Sequence, residues 1–146
     1  MTKYAEGTRV SVSDSQAEIE RTLVRFSCDQ RAWMRDDTAQ NITLLFGRKG
    51  VSYRLTMPLK VPFGTSKLAQ EAEIRRRLRV VLIWVKAQCE MVDTGLLTFE
   101  QAFMPQVALP GGHTVGETFQ PQIAAMLADG RAPTLALALP SGQQHA

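Results

Sequence analysis

The chain has 146 residues, 45% of them hydrophobic and 21% charged, with a formal net charge of +3. That length and balance predict a single domain that buries its own core, and they exclude a disordered or collagen-like chain. Two cysteines (Cys28, Cys89) and two histidines (His113, His145) are too few and too scattered for a disulfide framework or a zinc site.

In chain order, Met1 to Val10 is polar and lacks the apolar segment of a signal peptide. No stretch reaches the roughly 18 apolar residues of a membrane span, so a cytoplasmic chain without membrane contact is expected. Thr8 to Val12 is β-prone and predicts a short first strand. Ser15 and Glu18 have capping-box spacing, and Ile19, Leu23 and Phe26 recur at helical intervals, predicting a helix from Ser15 to Cys28. Three strands are expected next: Arg31 to Arg35, Ile42 to Phe46 and Val51 to Met57. A four-residue connection, Gly47-Arg48-Lys49-Gly50, joins the last two.

Pro58 to Gly64 reads as an extended exit, and Ser66 can cap a long helix from Lys67 to Val92. Its stripe of Ile74, Leu78, Val81, Leu82, Val85, Cys89 and Val92 is strongly apolar, and Val80, Ile83 and Trp84 lie elsewhere around the cylinder. The first half is thus amphipathic and the second half apolar nearly all round, and such a helix is expected to be covered twice, here by the sheet and by the C-terminal region. Gly95 suits the helix end. Thr98 can cap a short helix carrying Phe99 and Phe103, and Leu109 to Gly112 forms a loop. A last helix is expected from Thr114 to Leu127, with Val115, Phe119, Ile123 and Met126 on one side and Pro121 splitting or kinking it. Leu135 to Leu139 is expected to dock on the surface and Ser141 to Ala146 to form a tail.

The fold expected from these elements is α+β. An antiparallel sheet of three to four strands packs on a long central helix, with a helical C-terminal region. Residues 1–92 form the basic core, residues 93–140 an extension packed on it, and residues 141–146 the tail.

Charge is unevenly placed. Residues 1–89 balance at +7 and residues 90–146 at −4, together the net +3. Such a split fits either an anionic partner for the front half or attraction between the halves within one fold. The densest basic feature is Arg75-Arg76-Arg77-Leu78-Arg79. On a helix, Arg75, Arg79 and Lys86 fall within about 40° of one another, a ridge that could follow a phosphate backbone. Arg76 adjoins it, and Arg48, Lys49 and Arg54 extend it if the hairpin packs nearby. Competing with this is a solvated helix face neutralised by Glu71, Glu73 or the acidic tail. Nucleophilic chemistry finds no support: Cys89 lies on the buried stripe, Gly111-Gly112-His113-Thr114 reads as a turn into a helix, and no glycine-rich phosphate loop is present. No cofactor and no metal ligand set are expected, and binding is expected rather than catalysis.

The order helix, three strands, helix is similar to the double-stranded RNA-binding domain, although the basic helix-start motif of that domain is missing. A second likeness spans most of the chain. Val10-Ser11-Val12 leading into Ser15 to Glu20, then Arg76 to Arg79 with Val85-Lys86-Ala87, then Thr98-Phe99-Glu100 and Phe103, resemble a family of small phage and prophage proteins. Leu109 to Gly112 with Thr114 to Glu117 and Pro121-Gln122 complete it. The resemblance implies a mobile-element setting in a bacterial host's cytoplasm and no catalytic residues. From the basic helix face, the expected partner is nucleic acid, DNA rather than RNA, held by that face. The alternative is a protein–protein module that occupies a host complex, for example a defence system. A homo-oligomer is compatible with either.

Overall fold

The computed structural model describes residues 12–61, 64–130 and 140. Helix α1 (Val12–Arg25) leads into strands β1 (Gln30–Asp36), β2 (Asn41–Arg48) and β3 (Val51–Pro58). These are followed by α2 (Lys67–Asp93), the short α3 (Phe99–Ala102), a 3-10 turn (Met104–Gln106) and α4 (Val115–Ala128). The α+β expectation holds. The sheet is antiparallel with order β1-β2-β3, and β2 is central.

Register decides what the sheet buries. Leu44 lies opposite Trp33 on one side and Leu55 on the other, and Phe46 lies opposite Arg31 and Tyr53. Alternation therefore puts Ile42, Leu44, Phe46, Tyr53, Leu55 and Met57 on one face. All but Leu55, which is partly buried and packs against them, join Ile19 and Leu23 of α1 and the α2 stripe from Ile74 to Cys89 in a single buried cluster. The opposite face carries Ala32, Met34 and Leu45, all exposed, while Thr43 is buried beside Thr56 through a hydroxyl–hydroxyl bond of 3.1 Å.

Several boundaries differ from expectation, each for a local reason. Val12 belongs to α1, not to a strand; Thr8 to Ser11 lies outside the described residues. Ser15 is consequently the fourth residue of α1 and not its cap. It is buried, and its Oγ has no hydrogen-bond partner among the described residues. The helix stops at Arg25 because Ser27 adopts φ 66°, which turns the chain and lets the Cys28 N–H bond the Leu23 carbonyl. The β2–β3 connection is a two-residue turn, Lys49-Gly50, with φ of 51° and 77°, since Gly47 and Arg48 both remain paired in β2. Two positive φ values match the right-handed twist of the flanking strands.

Ser66 caps α2 as its position predicts, accepting from the Ala69 N–H. Thr98 and Thr114 cap α3 and α4 through complete capping boxes with Gln101 and Glu117. Between α3 and α4 the chain runs along the free edge of β3. Val107 bridges Tyr53, and the Ala108 N–H donates to the Ser52 carbonyl at 2.8 Å. This passage brings Phe99 and Phe103 onto Phe46 and Tyr53. Phe46 and Tyr53 stack at 5.0 Å, and Phe99 meets Tyr53 edge-on at 5.5 Å. Among the described residues, the C-terminal region covers the core through Phe99 and Phe103 and no further than the start of α4. Residues 119–130 are all exposed, so α4 does not pack on the core. Leu135 to Leu139 and the tail lie outside the described residues.

Candidate interaction surface

The seven basic residues singled out as a phosphate-binding ridge do not behave alike. Arg48 is turned inward: its Nε donates to the Phe26 carbonyl at 2.9 Å, its Nη1 meets Glu100 at 2.6 Å, and its guanidinium lies 4.7 Å over the Phe99 ring. Arg54 spans to the far end of the chain, where its Nη2 donates to both Glu117 oxygens at 2.8 Å and to the Gly112 carbonyl at 3.0 Å. Lys86 is bound by Glu18 of α1, and Arg76 shares Glu73 with Arg77. Among the described residues, Arg75, Arg79 and Lys49 make no ion pair.

Three of the cross-chain pairs, Arg25–Asp93, Arg48–Glu100 and Arg54–Glu117, join the basic front to the acidic rear. Attraction between the halves thus accounts for much of the charge split. Glu73, expected to be a solvated acid, is half-buried between two guanidinium groups. Hydrogen bonds from Arg77 and Arg76 hold its carboxyl below the usual range.

The remaining reactive side chains are quiet. Burial pushes the Cys28 thiol up to about 11 and the Cys89 thiol up to about 12, so both stay protonated at neutral pH. His113 is exposed, with Nδ1 3.4 Å from Glu117. Cys89 is buried in the core, so the two residues lie in different surroundings. Among the described residues, no group of three His, Cys, Asp or Glu side chains is placed to hold a metal ion. Nor is any described helix long and apolar enough to cross a membrane.

Apolar surface is the more unusual feature. The N-terminus of α4 is fixed by the Thr114–Glu117 capping box, by Arg54, and by the Val115 N–H on the Val107 carbonyl at 2.9 Å. Beyond that anchor no residue of the helix is buried. Phe119, Ile123, Met126 and Leu127 stand between 44% and 56% exposed. Their spacing of i, i+4, i+7 and i+8 sets them on one face. A second apolar strip lies on the outer side of α2, where Val80, Ile83, Ala87 and Met91 are exposed. Trp84 is covered on its flank by Phe103, 5.4 Å away, and the Gln88 amide reaches the Ala102 carbonyl. Among the described residues, C-terminal cover therefore reaches one flank of α2 and not its outer face. Beside that face, a cavity of about 430 Å³ opens between Thr56 to Pro58 of β3 and Arg76, Arg77, Val80 and Val81 of α2.

The apolar side of α4 is legible in the sequence, but the element that covers it is not. Helical periodicity marks a side that wants burial without saying whether this chain supplies the cover. One signal was available: α4 carries a single charged residue, Glu117, and that residue is consumed in its anchor. No protein-family model matches the chain, and no match is found among curated proteins or solved structures.

Proposed function

We propose that this protein is a protein-binding module that presents α4 as an apolar arm to a groove on a partner protein. The observation that carries the reading is an anchored helix of 14 residues with no buried side chain and four large apolar ones outward. Monomeric soluble proteins rarely leave such patches open unless a partner covers them. Anchors at i, i+4 and i+7 are the pattern by which an amphipathic helix enters a hydrophobic groove. Each large side chain so buried contributes about 1.5–3 kcal/mol, enough for a few anchors to dominate the affinity. In the mobile-element setting that the sequence likeness implies, the partner is a host protein complex that the module occupies.

The test is affinity capture from the bacterial host with wild type and with a Phe119→Asp/Ile123→Asp double variant. A stoichiometric protein retained by wild type, lost with the variant and displaced by a peptide spanning residues 113–130 supports the reading. Capture that is indifferent to both the variant and the peptide overturns it.

A second reading, phosphate binding on α2, is favoured by the unpaired cations of Arg75 and Arg79, with Lys49 at the hairpin tip. It is tested by fluorescence anisotropy with labelled DNA and RNA across a salt series. Binding that weakens with salt and with Arg75/Arg76/Arg79→Ala supports it. No binding at low salt removes it.

A further inference from the structure

Helix α2 is about 40 Å long at 1.5 Å per residue, and its outer face is open over much of that length. Val80, Ile83, Ala87 and Met91 fall within an arc of about 80° on that face, at the 3- and 4-residue spacing of a helix–helix seam. Ile83 stands 62% exposed on it.

Charge is polarised along the same face. Arg79 is exposed toward its N-terminal half and Glu90 toward its C-terminal half, and both are free of ion pairs among the described residues. The two lie about 20° apart around the helix. Eleven residues separate them, so they cannot pair with each other along one helix, where partners are three or four apart.

We infer that the outer face of α2 binds a second copy of this chain, as an antiparallel helix pair across a two-fold axis near Ile83. Antiparallel pairing reverses the charge gradient of one helix against the other. Arg79 then meets the partner's Glu90, and Glu90 meets the partner's Arg79. Apolar packing demands the same axis. The midpoint between Val80 and Ala87 and the midpoint between Arg79 and Glu90 lie within about one residue of each other, beside Ile83 and Trp84. One two-fold axis therefore seats larger Val80 on the partner's smaller Ala87 and pairs both charges. A two-fold interface requires this self-complementarity of a single patch.

Shape adds a further match. In this register the partner's Met91 arrives at the level of Arg76 and Val80, at the mouth of the 430 Å³ cavity beside β3. Methionine is the side chain best suited to fill so irregular a gap. A parallel pair would set Arg79 on Arg79 and Glu90 on Glu90. The inference does not rest on the role given to α4, which lies on a separate element.

The test combines solution mass with site-directed cross-linking on the full chain. Sedimentation is expected to give about twice the chain mass of 16.2 kDa. Ile83→Asp is expected to return a monomer with an unchanged circular dichroism spectrum, because the side chain is exposed. Arg79→Glu alone and Glu90→Arg alone are each expected to weaken dimerisation about tenfold, and the double swap to restore it. Oxidation of Ile83→Cys with copper phenanthroline is expected to yield a covalent dimer, with wild type, whose cysteines are buried, as the blank. Phe119→Asp/Ile123→Asp is expected to remain dimeric. A monomer at tens of micromolar protein, a double swap no tighter than the single ones, or a dimer lost with the α4 variant while Ile83→Asp retains it would each overturn the inference. The α4 capture result is unaffected by any of them.

Discussion

Arg48 shows how a residue that looks like a binding cation in sequence is recruited into the fold. Its side chain is only 16% exposed and holds three partners at once, a carbonyl, a carboxylate and an aromatic face. Arg48→Ala is expected to cost about 2 kcal/mol, since it strands the Phe26 carbonyl and uncovers Phe99. Arg79→Ala, with no ion pair to lose among the described residues of its own chain, is expected to leave the stability of that chain within about 0.5 kcal/mol. Urea denaturation of the two variants separates a structural arginine from a surface one.

Three carboxylates carry the pH response. A hydrogen bond from Lys86 holds Glu18 low, and bonds from Arg77 and Arg76 do the same for Glu73. At Glu117, burial pushes the carboxyl up, but the Thr114 N–H, Arg54 and His113 outweigh it and leave it below its ordinary value of 4.5. A carboxyl whose folded value is depressed stabilises the fold above its unfolded value. That stability is lost as pH falls through the folded one. The urea midpoint is therefore expected to be flat from pH 7 to about 5 and to fall below about 4.5. Glu117→Gln, already without the charge, should lose less on acidification. The buried thiols make a separate prediction. Cys28 and Cys89 should resist alkylation at pH 8 in native protein and react once it is denatured.

At the scale of elements, local sequence specified most of what formed. The periodicity of α2, the caps Ser66, Thr98 and Thr114, and the alternation of β2 and β3 all appear where the residues place them. The misses have physical causes. Ser15 fits a cap pattern, but α1 starts earlier, so the hydroxyl is buried instead. The hairpin shrank to Lys49-Gly50 because Gly47 and Arg48 remain in the ladder, a choice made by cross-strand pairing and not by local propensity. Gly50→Ala, at φ 77°, should destabilise by about 1 kcal/mol, and Lys49→Gly should recover up to about 1 kcal/mol by removing a side chain from φ 51°. In α4 the same reasoning runs in reverse. With no side chain buried, Phe119→Asp and Ile123→Asp should leave the unfolding free energy within about 0.5 kcal/mol of wild type. In the core, by contrast, Leu78→Ala should cost about 2–5 kcal/mol.

For the molecule as a whole, the charge split and the apolar faces tell opposite stories. The split looks like a binding signal in sequence, yet Arg25, Arg48 and Arg54 spend it on tying the two halves together. The apolar helices look like core in sequence, yet α4 and the outer side of α2 are exposed among the described residues. Neither outcome could be read from one chain's periodicity, because which element covers which face is settled by topology: the passage along β3 that delivers Phe99 and Phe103 to the core turns away at Thr114. What remains is a compact α+β body with an anchored apolar arm. That arrangement supports the proposal of protein contact, and among the described residues only Arg75, Arg79 and Lys49 of the original ridge make no ion pair.

The measurement that tests this most directly is capture of a host protein by wild type against Phe119→Asp/Ile123→Asp, with both confirmed folded by their urea midpoints. A partner bound stoichiometrically by wild type, lost with the variant and displaced by the 113–130 peptide is the expected result. Equal capture by both proteins, or capture that the peptide does not displace, would contradict the role assigned to α4.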